Sequence, residues 1–216
     1  MLNGVMLFIS DLHKSYDSLE EMRSIEWLLG VLDEFSPDYL ISAGDNGEGM
    51  TPEDFHEITR RAKLIMVYGN HENFAVARMN SIPDGHIVRA GGIKVSGING
   101  LIGSGRREYY TSPEKLMRLI GKLRGIDIFV SHQPPYLPEA YPGMTMDEGS
   151  IRMLEFIREV KPRLHLYGHM TGGCYSFHGP HLRVDSSARF RCFATIEEGE
   201  VAIYDRDGLV ERLRAW

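Results

Sequence analysis

A chain of 216 residues, 43% hydrophobic and 25% charged, is long enough for one sizeable core and short for two domains. Its net charge of −6 works against broad electrostatic capture of nucleic acid, and no apolar run reaches the roughly 20 residues that cross a bilayer. Two cysteines, Cys174 and Cys192, make neither a disulfide framework nor a metal-knuckle spacing, and are read as ordinary thiols in a reducing cytoplasm.

The start, "MLNGVMLFISDLH", lacks a positive n-region and a small-residue cleavage site, so "GVMLFIS" is read as a first strand. A helix is expected from about Ser18 to Phe35, where Met22, Ile25, Leu28, Leu29, Leu32 and Phe35 recur at three- and four-residue spacing. "YLISAG" is the second strand. In "TPEDFHEITRRA" Thr51 is the N-cap, Pro52 the first helical residue and Asp54 the third, a capping-box start. "KLIMVYG" is the third strand. "HIVRAGGIKVSGING" reads as a hairpin turning at Gly91-Gly92. Ser112-Pro113 opens a helix to about Leu123, "IDIFVS" is a strand, "GSIRMLEFIREV" an amphipathic helix and "RLHLYG" another strand. The tail, "HLRVDSS", "RCFATIEEG" and "EVAIYD", is read as strands joined by turns. Residues 1–216 form one α/β domain, two packed sheets flanked by helices, with Gln133 to Pro142 as the long functional loop.

Five of these apolar strands end in a metal-capable group. "FIS" runs into Asp11-Leu12-His13, "LISAG" into Asp45, "IMVYG" into Asn70-His71, "IFVS" into His132 and "LHLYG" into His169. Ligands gather at the carboxyl edge of α/β sheets, so five such tips can converge. Imidazole nitrogens and carboxylate oxygens are the donors that zinc, manganese, iron and nickel take. A single strand-end Asp or His is more often a turn former; the run of five is what carries weight. Elsewhere, His56, His86 and His165 are read as packing or solvent-facing groups. Arg106 and Arg107, in the glycine-rich "GSGRREYY", are candidates for touching an anion.

The series "DLH" (11–13), "GD" (44–45), "GNHE" (69–72), "SH" (131–132) and "GH" (168–169) resembles the calcineurin-like metallophosphoesterase superfamily, in the family's order and over most of the chain. The intervening "GINGLIGSGRREYYTSPE" resembles its small single-domain archaeal and bacterial members, which are distantly similar to the nuclease branch. The resemblance implies a four-layer α/β/β/α sandwich of two mixed sheets. It implies one divalent metal on Asp11, His13 and Asp45 and a second on Asp45, Asn70, His132 and His169, with Asp45 the bridge. Manganese is the expected ion, with nickel, iron and zinc as alternatives. A hydroxide between two such ions would attack a phosphoester in line, Asn70 holding metal and His71 assisting the leaving group.

Two departures from the family pattern matter. Glu48 stands where the family often has the aspartate that orients the catalytic histidine. Thr171 stands in "GHMT" where the family has a second histidine, so the first metal is expected to be weak and one ion per chain conceivable. Cys174, His178 or His181 could loop back as a substitute; ordinary turn and strand roles are the favoured reading. The expected substrate is a small or nucleotide-like phosphodiester, with monoesters second. No extra segment able to grip duplex nucleic acid is visible, and no membrane partner is expected. The rival reading is a non-catalytic metal-binding interaction module on the same fold.

Overall fold

The computed structural model describes residues 4–216. The first strand, β1 (Met6–Ile9), is buried along its whole length, Met6 and Phe8 on one face and Leu7 and Ile9 on the other. Such a run is what a parallel strand covered on both sides requires. The expected long helix divides into α1 (Leu19–Met22), with Ser18 as its N-cap, and α2 (Ser24–Phe35). The cause is a buried arginine. Arg191 donates to the Glu20 carbonyl at 2.7 Å and to Ser24 Oγ at 2.9 Å, taking the acceptor that the Ser24 N–H would use in a continuous helix. After β2 (Tyr39–Ser42) comes α3 (Pro52–Thr59), whose capping box between Thr51 and Asp54 is formed as expected. Then follow β3 (Lys63–Met66) and a short helix, α4 (Phe74–Asn80), which the apolar periodicity does not signal.

The second half opens with the expected hairpin, β4 (Val88–Ala90) and β5 (Ile93–Ile98), turning at Gly91-Gly92. A small ribbon, β6 (Leu101–Ile102) with β7 (Tyr110–Thr111), frames the "GSGRRE" loop. Helices α5 (Pro113–Arg118) and α6 (Ile120–Leu123) lead to β8 (Ile128–Ser131), α7 (Glu148–Val160) and β9 (Leu164–Tyr167). Five strands close the chain: β10 (Tyr175–His178), β11 (His181–Val184), β12 (Phe193–Glu197), β13 (Glu200–Asp205) and β14 (Gly208–Arg214).

Among the described residues these make two mixed six-stranded sheets, ordered β14-β13-β12-β1-β2-β3 and β10-β11-β9-β8-β5-β4. Their inner faces meet in one apolar layer, with Phe8, Ile41, Val67 and Ala194 on one side and Val95, Val130, Leu166 and Val184 on the other. Helices α2, α3 and α4 cover the outer face of the first sheet, and α5, α6 and α7 that of the second. The result is the four-layer α/β/β/α sandwich. Strands β1, β2 and β3 run parallel in one sheet, and β5, β8 and β9 in the other, so their carboxyl ends form the edges where ligands collect.

The thiol reading of the cysteines is corrected. Cys174 and Cys192 form a disulfide, their Cα atoms 5.5 Å apart. Asp185 brings them together: its N–H donates to the Cys174 carbonyl at 2.8 Å, and its carbonyl accepts from the Cys192 N–H at 2.9 Å. That register depends on the pairing of distant strands, which spacing in the sequence cannot convey.

Candidate metal centre

The strand tips interlock through their backbones. The Asp11 N–H donates to the Gly44 carbonyl at 3.0 Å, the His13 N–H to Asp45 at 3.0 Å and the Lys14 N–H to Asn46 at 2.9 Å. Extended backbone would put Asp11 and His13 on one side of their strand, but neither is extended. Each turns left-handed, with φ of 57° and 51°, as do Asp45 at 53° and His169 at 69°. Asp and His are among the non-glycine residues that tolerate this region, at about 1 kcal/mol or more apiece. The conformation folds each tip back over its strand end, so that donors from the loops after β1, β2 and β9 face inward.

Asp45 sits at the middle. Its Oδ1 accepts the N–H groups of Asn70 at 2.7 Å and His71 at 2.8 Å, while Oδ2 lies 3.3 Å from His132 Nε2 and 3.8 Å from His13 Nε2. Two metal-capable groups share it: Asp45 with His132 and His169, and Asp45 with Asp11 and His13. Asp11 Oδ1 accepts the His169 N–H at 3.1 Å, tying the last tip to the first. Gly69 permits this closeness. A Cβ there would stand 2.1 Å from Asp45 Oδ1 and 2.8 Å from His132 Nε2.

The donor chemistry fits a cation. His132 Nδ1 lies 2.9 Å from the Ala43 carbonyl, which can only accept, so the ring proton sits there and Nε2 presents a lone pair. That lone pair faces Asn70 Oδ1 at 3.2 Å, His169 Nδ1 at 3.2 Å and the Asp45 carboxylate. Asn70 Oδ1 and the Asp45 carboxylate face that lone pair with acceptors of their own, so positive charge among them is stabilising. Without a metal, a proton takes that place. Burial would push His132 down, but the Asp45 carboxylate outweighs it and lifts the ring to about 9. Burial would likewise raise Asp45, yet His132 and the backbone donor of His71 hold it below the usual carboxylate range. Asp11 is raised by burial.

His71 lies beside this nest, not in it. Its side chain is exposed, its ring centroid 5.7 Å from that of His13, and its Nδ1 3.9 Å from Glu48 Oε1. At that distance Glu48 faces the histidine but makes no hydrogen bond to it. Beneath them Glu72 is fully buried. It accepts from the backbone N–H groups of Asn46 and Gly69, and burial with the nearby Asp45 charge raises it to about 7.

Thr171 lines the cleft over the metal-capable groups but is exposed. None of the substitutes stands with Asp11 and His13: Cys174 is in the disulfide, and His178 and His181 lie at the β10–β11 turn. Arg106 and Arg107 are exposed in the loop before β7 and are not among the residues lining the cleft. The arginine that does line it is Arg189, with Asp185, Ser187 and Phe190 beside it. Sequence reasoning passed over "DSSARF" because no metal-ligand motif marks it; β11, which runs parallel to β9, and the disulfide bring it to the same edge.

A two-sheet sandwich with Asp, His and Asn donors gathered at the carboxyl ends of its parallel strands defines a metallophosphoesterase. The chain belongs to the calcineurin-like phosphoesterase family, whose model matches residues 5–171. No curated protein matches it by sequence. In fold it is similar to the protein TT1561 of Thermus thermophilus, with TM-score 0.62 and 16% identity, covering 99% of each chain. It is also similar to GAP50, the anchor in the inner membrane complex of Plasmodium, with TM-score 0.61 and 9% identity over 97% of this chain and 87% of that one. The phosphopantetheinyl hydrolase of Mycobacterium tuberculosis follows with TM-score 0.54 and 18% identity, covering 85% and 88%.

Proposed function

We propose that the chain, as one domain over residues 1–216, hydrolyses small or nucleotide-like phosphodiesters, and more slowly monoesters, with divalent metal. Asp45, Asn70, His132 and His169 would hold one ion and Asp11, His13 and Asp45 a second, weaker one. The donor set of carboxylate, amide and imidazole, without thiolate, suits manganese, with iron, nickel and zinc as alternatives. Such ions, when bound, supply Lewis-acid charge on the phosphoryl group and a water acidic enough to attack at neutral pH. The remaining work falls to the protein. His71, with Glu48 facing its Nδ1 at 3.9 Å, would give a proton from its other ring nitrogen to the departing alcohol oxygen. Arg189 adds positive charge to the cleft for an anionic substrate, and Arg106 and Arg107 are outer contacts for substrates that extend past it.

The observation that carries this reading is the convergence of lone-pair donors on His132 Nε2 with a half-free imidazole beside them. A second reading, a metal-binding interaction module without catalysis, is favoured by one fact: exposed Thr171 where the family's pattern has a metal-binding histidine. Hydrolysis of bis-nitrophenyl phosphate with manganese separates the two. Under the first reading the wild type turns over and His71→Ala loses far more rate on poor alcohol leaving groups than on nitrophenyl esters. No turnover with any of the four metals would leave the second reading; equal losses on both ester classes would remove His71 as the acid.

A further inference from the structure

A second cavity, of about 730 Å³, opens away from the metal centre, between the end of α7, the loop at Tyr136–Glu139 and the turn joining β10 to β11. Its walls are of two kinds. Leu137, Leu154 and Ile157 give it an apolar side. Arg158, Lys161 and His178 give it a basic side, and neither Arg158 nor Lys161 has an ion-pair partner among the described residues; Glu139 is the one acidic residue in the lining.

At its floor lies His181, 5% exposed, whose state is set by a buried chain of hydrogen bonds. Ser131 Oγ donates to the Gln133 carbonyl at 2.7 Å, so it must accept from His165 Nε2 at 2.8 Å. The proton on His165 is thereby placed at Nε2, which leaves its Nδ1 to accept from His181 Nδ1 at 2.9 Å. His181 Nε2 is left with a lone pair and no partner among the described residues. Arg158 lines the same cavity and holds the His181 ring toward its neutral form, burial being the larger cause. An imidazole acceptor without a protein donor, in a cavity also lined by Arg158, Lys161 and an apolar wall, has the complement of an acid with a hydrophobic body.

We propose that this cavity is a second ligand site, which takes an amphipathic carboxylate: the carboxylate against His181 Nε2, Arg158 and Lys161, the apolar body along Leu137, Leu154 and Ile157. Binding places one proton between His181 Nε2 and a carboxylate oxygen, taken up from solvent when the ligand arrives as its anion. Nothing is transferred or oxidised. The chain His181–His165–Ser131 ends one residue before His132, so an occupant is linked to the end of β8 through hydrogen bonds.

Octanoate is the probe, titrated calorimetrically into the full chain at mildly acidic pH in two buffers of different ionisation enthalpy. One saturable site in the millimolar range or tighter is expected, with uptake of about one proton per ligand. Arg158→Glu, a surface change that leaves the fold intact, should weaken binding at least about tenfold, and His181→Gln should abolish the proton uptake. Octanol, which lacks the charge, should not compete. Binding unchanged by Arg158→Glu, equal competition by octanol, or no saturable site would overturn the proposal. Saturating inorganic phosphate, an anion without an apolar body, should leave the octanoate affinity unchanged; displacement by phosphate would place the ligand elsewhere and also refute it.

Discussion

Gly69→Ala tests whether the nest is as tight as its distances require. The added Cβ would stand 2.1 Å from Asp45 Oδ1, 2.7 Å from the Asp45 N and 2.8 Å from His132 Nε2. Carbon and oxygen need more than about 3 Å, so the carboxylate must retreat by about 1 Å. The Gly69 backbone is not left-handed, so alanine adds no conformational strain and the effect is steric alone. Two costs add. Overpacking a rigid site costs about 1–3 kcal/mol, and weakening the bonds from the Asn70 and His71 N–H groups to a charged acceptor about 1.5 kcal/mol more. A loss near 3 kcal/mol lowers the melting temperature by roughly 6–12 °C in a chain of this size. Displacing the one residue common to both metal-capable groups by about 1 Å should cut hydrolysis about a hundredfold. Thermal melts, metal counting and an ester assay on one preparation read all three. The control is Gly121→Ala in α6, where a Cβ meets nothing within 4 Å, and which should be neutral or slightly stabilising. If Gly69→Ala keeps its metal, its melting point and its rate, the packed geometry of Asp45 is wrong.

Thr171→His, in dialysed protein counted for manganese, should raise occupancy toward two ions per chain; two tightly held ions in the wild type would contradict the weak first site. Cys174→Ser should lower stability in urea by roughly 3 kcal/mol, because the bridge closes a loop with a sequence separation of 18, and an unshifted midpoint with and without reductant would show that the bond does not form in solution. Buried groups should pull the pH dependence of the metal-free protein in opposite directions. Burial holds His165 well below its ordinary value and His181 down to about 4, so below about pH 6.5 each of these rings contributes a term that rises with pH, while Glu72, raised to about 7, and His132, raised to about 9, contribute terms that fall with pH. From pH 7 to pH 5 His181 alone should cost about 2 kcal/mol; a His181→Gln variant with the same pH slope as the wild type would exclude it as the cause.

What the sequence conveyed about this molecule was what local chemistry writes into it. The buried parallel strands are continuous apolar runs, Thr51 and Asp54 form their capping box, and Gly91-Gly92 turns the hairpin. The tips carry their donors one after another, which made Asp11, His13, Asp45, Asn70, His132 and His169 legible as a set. What depended on distant pairing was not legible. The break between α1 and α2 is made by Arg191, some 170 positions away in the chain. The strand β14 is an exposed edge, so its "GLVERLR" lacks the apolar alternation that marks a half-buried strand. The disulfide, Arg189 in the cleft and the His165–His181 pair all arise where β10, β11 and the segment before β12 come together, and no motif announces that meeting.

The arrangement of the tips bears on whether the site works or merely persists. Four left-handed residues, Asp11, His13, Asp45 and His169, each cost stability where glycine or asparagine would fold more easily. The lone pairs facing His132 Nε2 cost more, and so does a fully buried Glu72 with one carboxylate oxygen unpartnered. A surface that only met a protein partner would need none of these, since shape and exposed groups would serve. Charge returned by a cation offsets the repulsion directly, and it does so only if the donors keep their present spacing. Metal dependence of stability and the strained tips are therefore two sides of one arrangement. Adding manganese to the metal-free chain should raise its melting temperature in proportion to the logarithm of the metal concentration above the dissociation constant, and His132→Ala, by removing the central donor, should flatten that rise.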